Sequence, residues 1–150
     1  LGESGAIVEY LLARYGGGRL SIAPDHPDFP HYVFWLHFAN GSLMPSLLAG
    51  FVACELGHTQ SGVLASMEER TARAYRMIEE RLGAVPYFSG AQFTAADIMM
   101  FFPLTTMRVF LPRDLTPYPN LRGYLHRVGG RPAYLRAMHR AEPGFRPLLD

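Results

Sequence analysis

Thr94 stands three residues ahead of Asp97, and the stretch behind that pair, Met99-Met100-Phe101-Phe102-Pro103-Leu104, is apolar on every side. A Thr at an N-cap can satisfy an orphan amide of the first helical turn, and an acid three positions on can reach back to the Thr N–H. Phe93 and Ile98 fall where a hydrophobic staple would close over the cap. A helix that is apolar all round is stable only when other elements enclose it. The chain must therefore fold as a bundle around residues 95 to 104. The cap accounts fully for the spacing, so Thr94 and Asp97 are read as structural capping residues and Asp97 as no part of catalysis.

The remaining sequence supplies the enclosing helices. Phe29-Pro30 opens a helical pattern to about Leu56, with Pro30 suited to a first turn and Pro45 expected to kink it near Ser42 to Pro45. From Ser61 to Leu82, Leu64, Met67, Thr71, Ala74, Tyr75, Ile78 and Leu82 alternate with charged residues, which predicts a half-buried helix. Pro119 opens a helix over Asn120 to Val128 that Gly129-Gly130 ends, and Pro132 starts a last one through about His139. The tail from Glu142 to Asp150 is expected along the surface. No period-two strand and no internal repeat is visible, so the fold class is all-α.

Ahead of this bundle, residues 3 to 15 place Ile7, Tyr10, Leu11 and Leu12 on one face of a short helix that Gly16-Gly17-Gly18 stops. Gly16 to Pro30, with those glycines and Pro24, Pro27 and Pro30, has the composition of a linker. The organisation reads as a terminal helix over 1–16, a linker over 17–28 and a helical domain over 29–150. With 150 residues and 49% hydrophobic content, one sizeable core is possible. The formal charge of +1 gives no field to recruit nucleic acid or an anionic membrane. No uninterrupted apolar run long enough to cross a bilayer is read, nor a targeting leader. A single cysteine cannot form an internal disulfide, which fits a reducing compartment and a cytoplasmic location.

The opening helix begins with an acid and a hydroxyl, Glu3 and Ser4. A helix N-terminus carries unpaired N–H groups and partial positive charge, which suit a carboxylate, while Glu3 could face an ammonium group. The competing reading is a capped helix with no ligand. His37 has no second ligand at metal spacing, and Cys54 has no adjacent base in sequence and reads as a small core hydrophobe. No metal site is read, and His26 and His31 receive no role.

Glu3-Ser4-Gly5-Ala6-Ile7-Val8-Glu9-Tyr10-Leu11, Pro86-Tyr87-Phe88-Ser89-Gly90 with Phe93 to Ile98, and Tyr118-Pro119-Asn120-Leu121 with Arg131-Pro132-Ala133-Tyr134 together resemble the glutathione transferase family across nearly the whole chain. The resemblance implies a glutathione transferase C-terminal helical bundle, preceded by the last helix of a thioredoxin-like domain otherwise absent from the chain. The segment Trp35 to Pro45 is similar to a bacterial-type branch, in which an acid is expected where Asn40 stands.

By that resemblance, Ser4 takes the γ-glutamyl carboxylate of glutathione and Glu3 faces its ammonium group, with glutathione as co-substrate and no metal. The catalytic Tyr, Ser or Cys would lie in the thioredoxin-like part, so no catalytic residue is assigned in this chain. The face Phe38, Gly41, Ser42 and Pro45 is expected to line the electrophile pocket beside the kink. The parent would conjugate glutathione thiolate to small apolar electrophiles, a detoxifying reaction, and this chain alone would be inactive. Two rivals stand beside that expectation: a non-catalytic interaction module, and a glutathione-dependent thiol-disulfide reductase. The family also implies a homodimer, with an exposed apolar patch on the Phe29 to Leu56 or Ser61 to Leu82 helix.

Overall fold

The computed structural model describes residues 1–57 and 62–150, and among them the fold is all-α with no strand. Helix α1 (Ser4–Leu11) runs into a π-helical turn, Leu12–Gly16, and Gly17 at φ 55° stops it in the left-handed region that glycine tolerates. Then follow α2 (Phe29–Phe38), a second π-helical turn (Ala39–Leu43), α3 (Met44–Glu55), α4 (Gly62–Ala84) and α5 (Ala95–Leu104). The short α6 (Met107–Phe110), which no sequence signal announced, precedes α7 (Pro119–Gly129) and α8 (Pro132–Ala141). The expected start of α4 at Ser61 lies outside the described residues.

The predicted capping box forms. Thr94 in extended geometry receives Asp97 behind it, whose Oδ2 accepts the Thr94 N–H at 2.8 Å. Asp97 Oδ1 also accepts the Phe88 N–H at 3.0 Å, so one buried carboxylate ties the 85–93 loop to the helix start. Burial pushes the Asp97 carboxyl up, opposed by hydrogen bonds from Phe88, Thr94 and Tyr124. Phe88 is fully buried and stacks its ring edges between Trp35, at 4.7 Å, and Tyr124, at 5.0 Å. On the opposite side, the Glu79 carboxylate of α4 caps α7, accepting the Asn120 and Leu121 N–H groups at 2.9 Å each.

Three expectations need correction. Helix α5 is not wholly enclosed: Ile98 and Phe102, one turn apart, are 43% and 50% exposed, while Met99, Met100, Phe101 and Leu104 are buried. Of the face expected in the opening helix, Leu12 packs against the core together with Val8, while Ile7, Tyr10 and Leu11 are exposed. The third concerns the long helix. Residues Phe29–Glu55 run as one 27-residue helix of mean hydropathy 1.2, long and apolar enough to cross a membrane by length and composition. In the fold it is the packing helix of the bundle, with Trp35, Leu36, Ala39, Leu43 and Leu47 buried.

Ahead of Pro45 the helix changes its hydrogen-bond register without breaking. The Met44 N–H bonds Ala39 O, an i to i+5 step, and Pro45, which has no N–H to donate, follows directly at the first turn of α3. The distortion thus spans Ala39 to Leu43, beginning ahead of the proline.

Candidate functional site

Glu3 sits at φ 65°, ψ 115°, a conformation that costs a non-glycine residue on the order of 1–3 kcal/mol and is held only where surroundings over-determine it. Its carbonyl accepts the Ile7 N–H at 2.9 Å, so the twist turns the chain directly into α1. The N–H groups ahead of Ile7 have no acceptor within the helix.

The Ser4 side chain does not cap this helix, contrary to the simpler sequence reading. Its Oγ accepts a hydrogen bond from Asn40 Nδ2 at 3.1 Å, across 36 residues of sequence. The same amide nitrogen lies 3.8 Å from where a Gly5 Cβ would stand, an ordinary contact distance, so a methyl group there would not block the approach. Asn40 reaches Ser4 from the π-helical turn. Nearby, His37 Nε2 lies 3.9 Å from Glu9 Oε1, both well exposed, a loose pair of little energetic weight. Asn40 is the site residue that residue-by-residue sequence reading left without a role, although its identity had already marked it as a departure.

Of the four residues expected to meet an electrophile, two line one cavity. Phe38 and Ser42 line a cavity of about 190 Å³ together with Ser46, Arg70, Arg73, Ala74 and Met77, between the long helix and α4. Phe38 also stacks on Phe34 at 5.4 Å and is half-buried against the core. Gly41 and Pro45 lie outside that cavity and are exposed.

Two further cavities flank the bundle. One of about 570 Å³ lies between α3, α4 and the 111–118 connection, and Cys54 reaches it, exposed where the sequence suggested a core position. Another of about 380 Å³, lined by Leu20, Phe93, Ile98, Phe102, Tyr134 and neighbours, lies between α5 and α8. Among the described residues no group of three or more His, Cys, Asp or Glu side chains is placed to hold a metal ion.

A helical bundle built round a capped central helix, with a Ser-bearing terminal helix tied to it by the Asn40 to Ser4 hydrogen bond, defines the class as an all-α bundle. Comparison with known proteins gives the family. The glutathione S-transferase C-terminal domain family matches residues 61–127. Glutathione S-transferase 3 of Schizosaccharomyces pombe is 30% identical over 154 residues, covering 93% of this chain and 63% of that protein. The disulfide-bond oxidoreductase YfcG of Escherichia coli is 28% identical over 146 residues, covering 95% of this chain and 65% of that one. A crystal structure of a glutathione S-transferase from Actinobacillus pleuropneumoniae matches with a TM-score of 0.84 at 25% identity, over 95% of this chain and 64% of that one. Residues 61–127 thus carry the helical C-terminal domain of the glutathione S-transferase family. The chain spans 63–65% of the length of these relatives.

Proposed function

We propose that the chain forms the γ-glutamyl-binding edge and the electrophile-holding half of a cytoplasmic protein that conjugates glutathione thiolate to small apolar electrophiles. The observation that carries this reading is the Asn40 to Ser4 hydrogen bond, which joins the Glu3-Ser4 helix start to the helical domain at one edge. In this reading α1 belongs to a thioredoxin-like unit, residues 17–28 link the units, and residues 29–150 form the helical domain.

Ser4 accepts from Asn40 and so has its own hydroxyl proton to donate to a carboxylate, beside the N–H groups of the first turn of α1. Glu3 supplies the charge that an α-ammonium group needs. These residues bind and orient. The thiolate is stabilised, and the bond made, by groups outside the chain, so binding here contributes positioning alone.

The apolar stripe Leu48, Val52 and Leu56, each between 46% and 65% exposed, runs along α3, while α4 adds no large exposed hydrophobic among the described residues. We assign this stripe to self-association as a dimer.

The test is a titration of the 150-residue chain with glutathione, read at the amides of Glu3, Ser4 and Gly5 by NMR, and an assay with glutathione and an aryl halide. Saturable shifts at those amides without turnover are expected. Turnover at ordinary enzyme rates would place the catalytic group within the chain. A second reading, thiol-disulfide reduction, is favoured by the name of the Escherichia coli relative. That reading requires an active-site cysteine outside this chain and gives Cys54 no role, so disulfide reduction by the 150-residue chain that is lost on Cys54→Ser would overturn it. An interaction module without chemistry would show the same fold and no response to glutathione.

A further inference from the structure

Among the described residues, the non-glycine positions at positive φ are Glu3 at 65° and Leu20 at 61°, and they bracket the segment that carries α1. A bulky residue rarely adopts that region, so its neighbours must hold Leu20 there. Its side chain is 39% exposed, and burial is not the cause. The hold is on its main chain: Leu20 O accepts the Ala95 N–H at 2.8 Å.

Ala95 is the first residue of α5, directly after the Thr94 cap, and it is fully buried. The N–H groups of a first helical turn find no acceptor within their own helix, and a buried one must be met from elsewhere. Thr94 and Asp97 serve each other's amides, whereas the Ala95 N–H is met from the linker. The central helix thus takes part of its cap from Leu20.

Composition marks residues 17–28 as a linker, yet they are fitted to the bundle. Arg19 N–H donates to Gly16 O and His26 N–H to Ala23 O, each at 3.0 Å. Ile22 is 8% exposed and belongs to the core. At the far end Asp28 Oδ2 lies against Gly90 of the 85–93 loop. Helix α1, by contrast, buries no residue fully. It meets the helical domain through partly buried Val8, with Leu12 just beyond its end, and through the exposed Asn40 to Ser4 bond. So short a helix with so few contacts does not fix its own position.

We propose that the Leu20 to Ala95 hydrogen bond is a latch that positions the Glu3-Ser4 edge. By pinning the linker to the cap of α5, it holds α1 where Ser4 meets Asn40. Leu20 and Ala95 are thereby positioning residues for that edge. The consequence for ligand binding rests on the glutathione reading given above, and the latch itself does not.

The test is amide hydrogen exchange by NMR on the 150-residue chain and on Ala95→Pro. Proline is accepted at a first helical position, and Thr94, at φ −133° and ψ −179°, already has the extended backbone that a residue before proline requires. The variant deletes the donor and leaves the Thr94-Asp97 pair in place. Exchange of the α1 amides should rise roughly five- to tenfold, the weight of one buried hydrogen bond, with much smaller changes in α4 and α7. Glutathione binding, read at the amides of residues 3 to 5, should weaken by a similar factor. Leu20→Gly relieves the backbone and keeps the carbonyl, so α1 should stay protected. Unchanged α1 exchange in Ala95→Pro, or an equal rise in every helix, would overturn the latch. If Ala95→Pro does not fold, the unsubstituted chain decides: the Ala95 amide should exchange as slowly as that of Asp97, and exchange at the rate of an exposed amide would overturn the latch. A chain with no glutathione shifts at residues 3 to 5 but with the α1 response intact would sink the glutathione reading alone.

Discussion

The Phe88 N–H donates to Asp97 Oδ1 at 3.0 Å while the other oxygen of the same carboxylate holds the Thr94 N–H at 2.8 Å. Both amides belong to fully or almost fully buried residues. Asp97→Ala leaves the two donors unsatisfied and removes the cap, so a loss of about 2–4 kcal/mol is expected in urea unfolding. Asp97→Asn keeps an acceptor and should lose clearly less. Equal losses for the two substitutions would mean that volume, and not hydrogen bonding, sets the cost.

Gly90 adopts φ 135°, and a Cβ built on it would lie 2.6 Å from Asp28 Oδ2. Gly90→Ala therefore carries both backbone strain and a clash, and should cost about 2 kcal/mol or more. Asp28→Ala in the same chain relieves the clash and leaves the strain. Denaturant midpoints should show the double variant recovering part of the loss and never all of it.

The Asp150 carboxyl is held below the usual carboxylate range, chiefly by its hydrogen bond to His126 and also by Arg122. A depressed acid contributes stability that is fully present above its ordinary value and is lost as pH falls through the folded value. The strap from Glu142 to Asp150 should therefore loosen only in acid. Carboxyl titration by NMR should place Asp150 below the ordinary range, and His126→Ala should move it upward. An unchanged midpoint in that variant would remove His126 from the clasp.

Ser4 and Asn40 are both exposed, so Ser4→Ala and Asn40→Ala should each alter unfolding free energy by no more than about 0.5–1 kcal/mol. The proposed role in glutathione binding predicts a much larger relative effect there. In Ser4→Ala the glutathione-induced amide shifts of residues 3 to 5 should vanish, and in Asn40→Ala they should weaken. Unchanged shifts in Ser4→Ala would remove the hydroxyl from the binding edge.

Much of the fold was legible because its signals are local. Thr94 and Asp97 lie within one turn, Gly17 marks a helix stop with its own backbone, and Pro30, Pro119 and Pro132 announce first turns where no N–H is missed. What escaped is what depends on partners remote in sequence. The π-helical turn at Ala39–Leu43 changes hydrogen-bond register without a residue that requires it, and Pro45 marks only its far end. The exposure of Ile98 and Phe102 depends on what packs beside α5, and an apolar stretch alone does not say which of its sides is covered. Likewise, Glu3 and Ser4 could be singled out from their place at a helix start, whereas Asn40 joins them only once the long helix has been laid against α1.

That π-helical turn is also a rotation of about 100°, the angle that one extra residue adds to a helix. Ahead of it α2 packs on α5, and beyond it α3 packs on α4. A single unbroken rod thereby addresses two neighbours lying in different directions, with no loop between. Deleting any one residue from Ala39 to Leu43 would swing the whole of α3 away from its seat, whereas many substitutions there would leave the rod aligned. This stretch of chain is constrained more tightly in length than in composition.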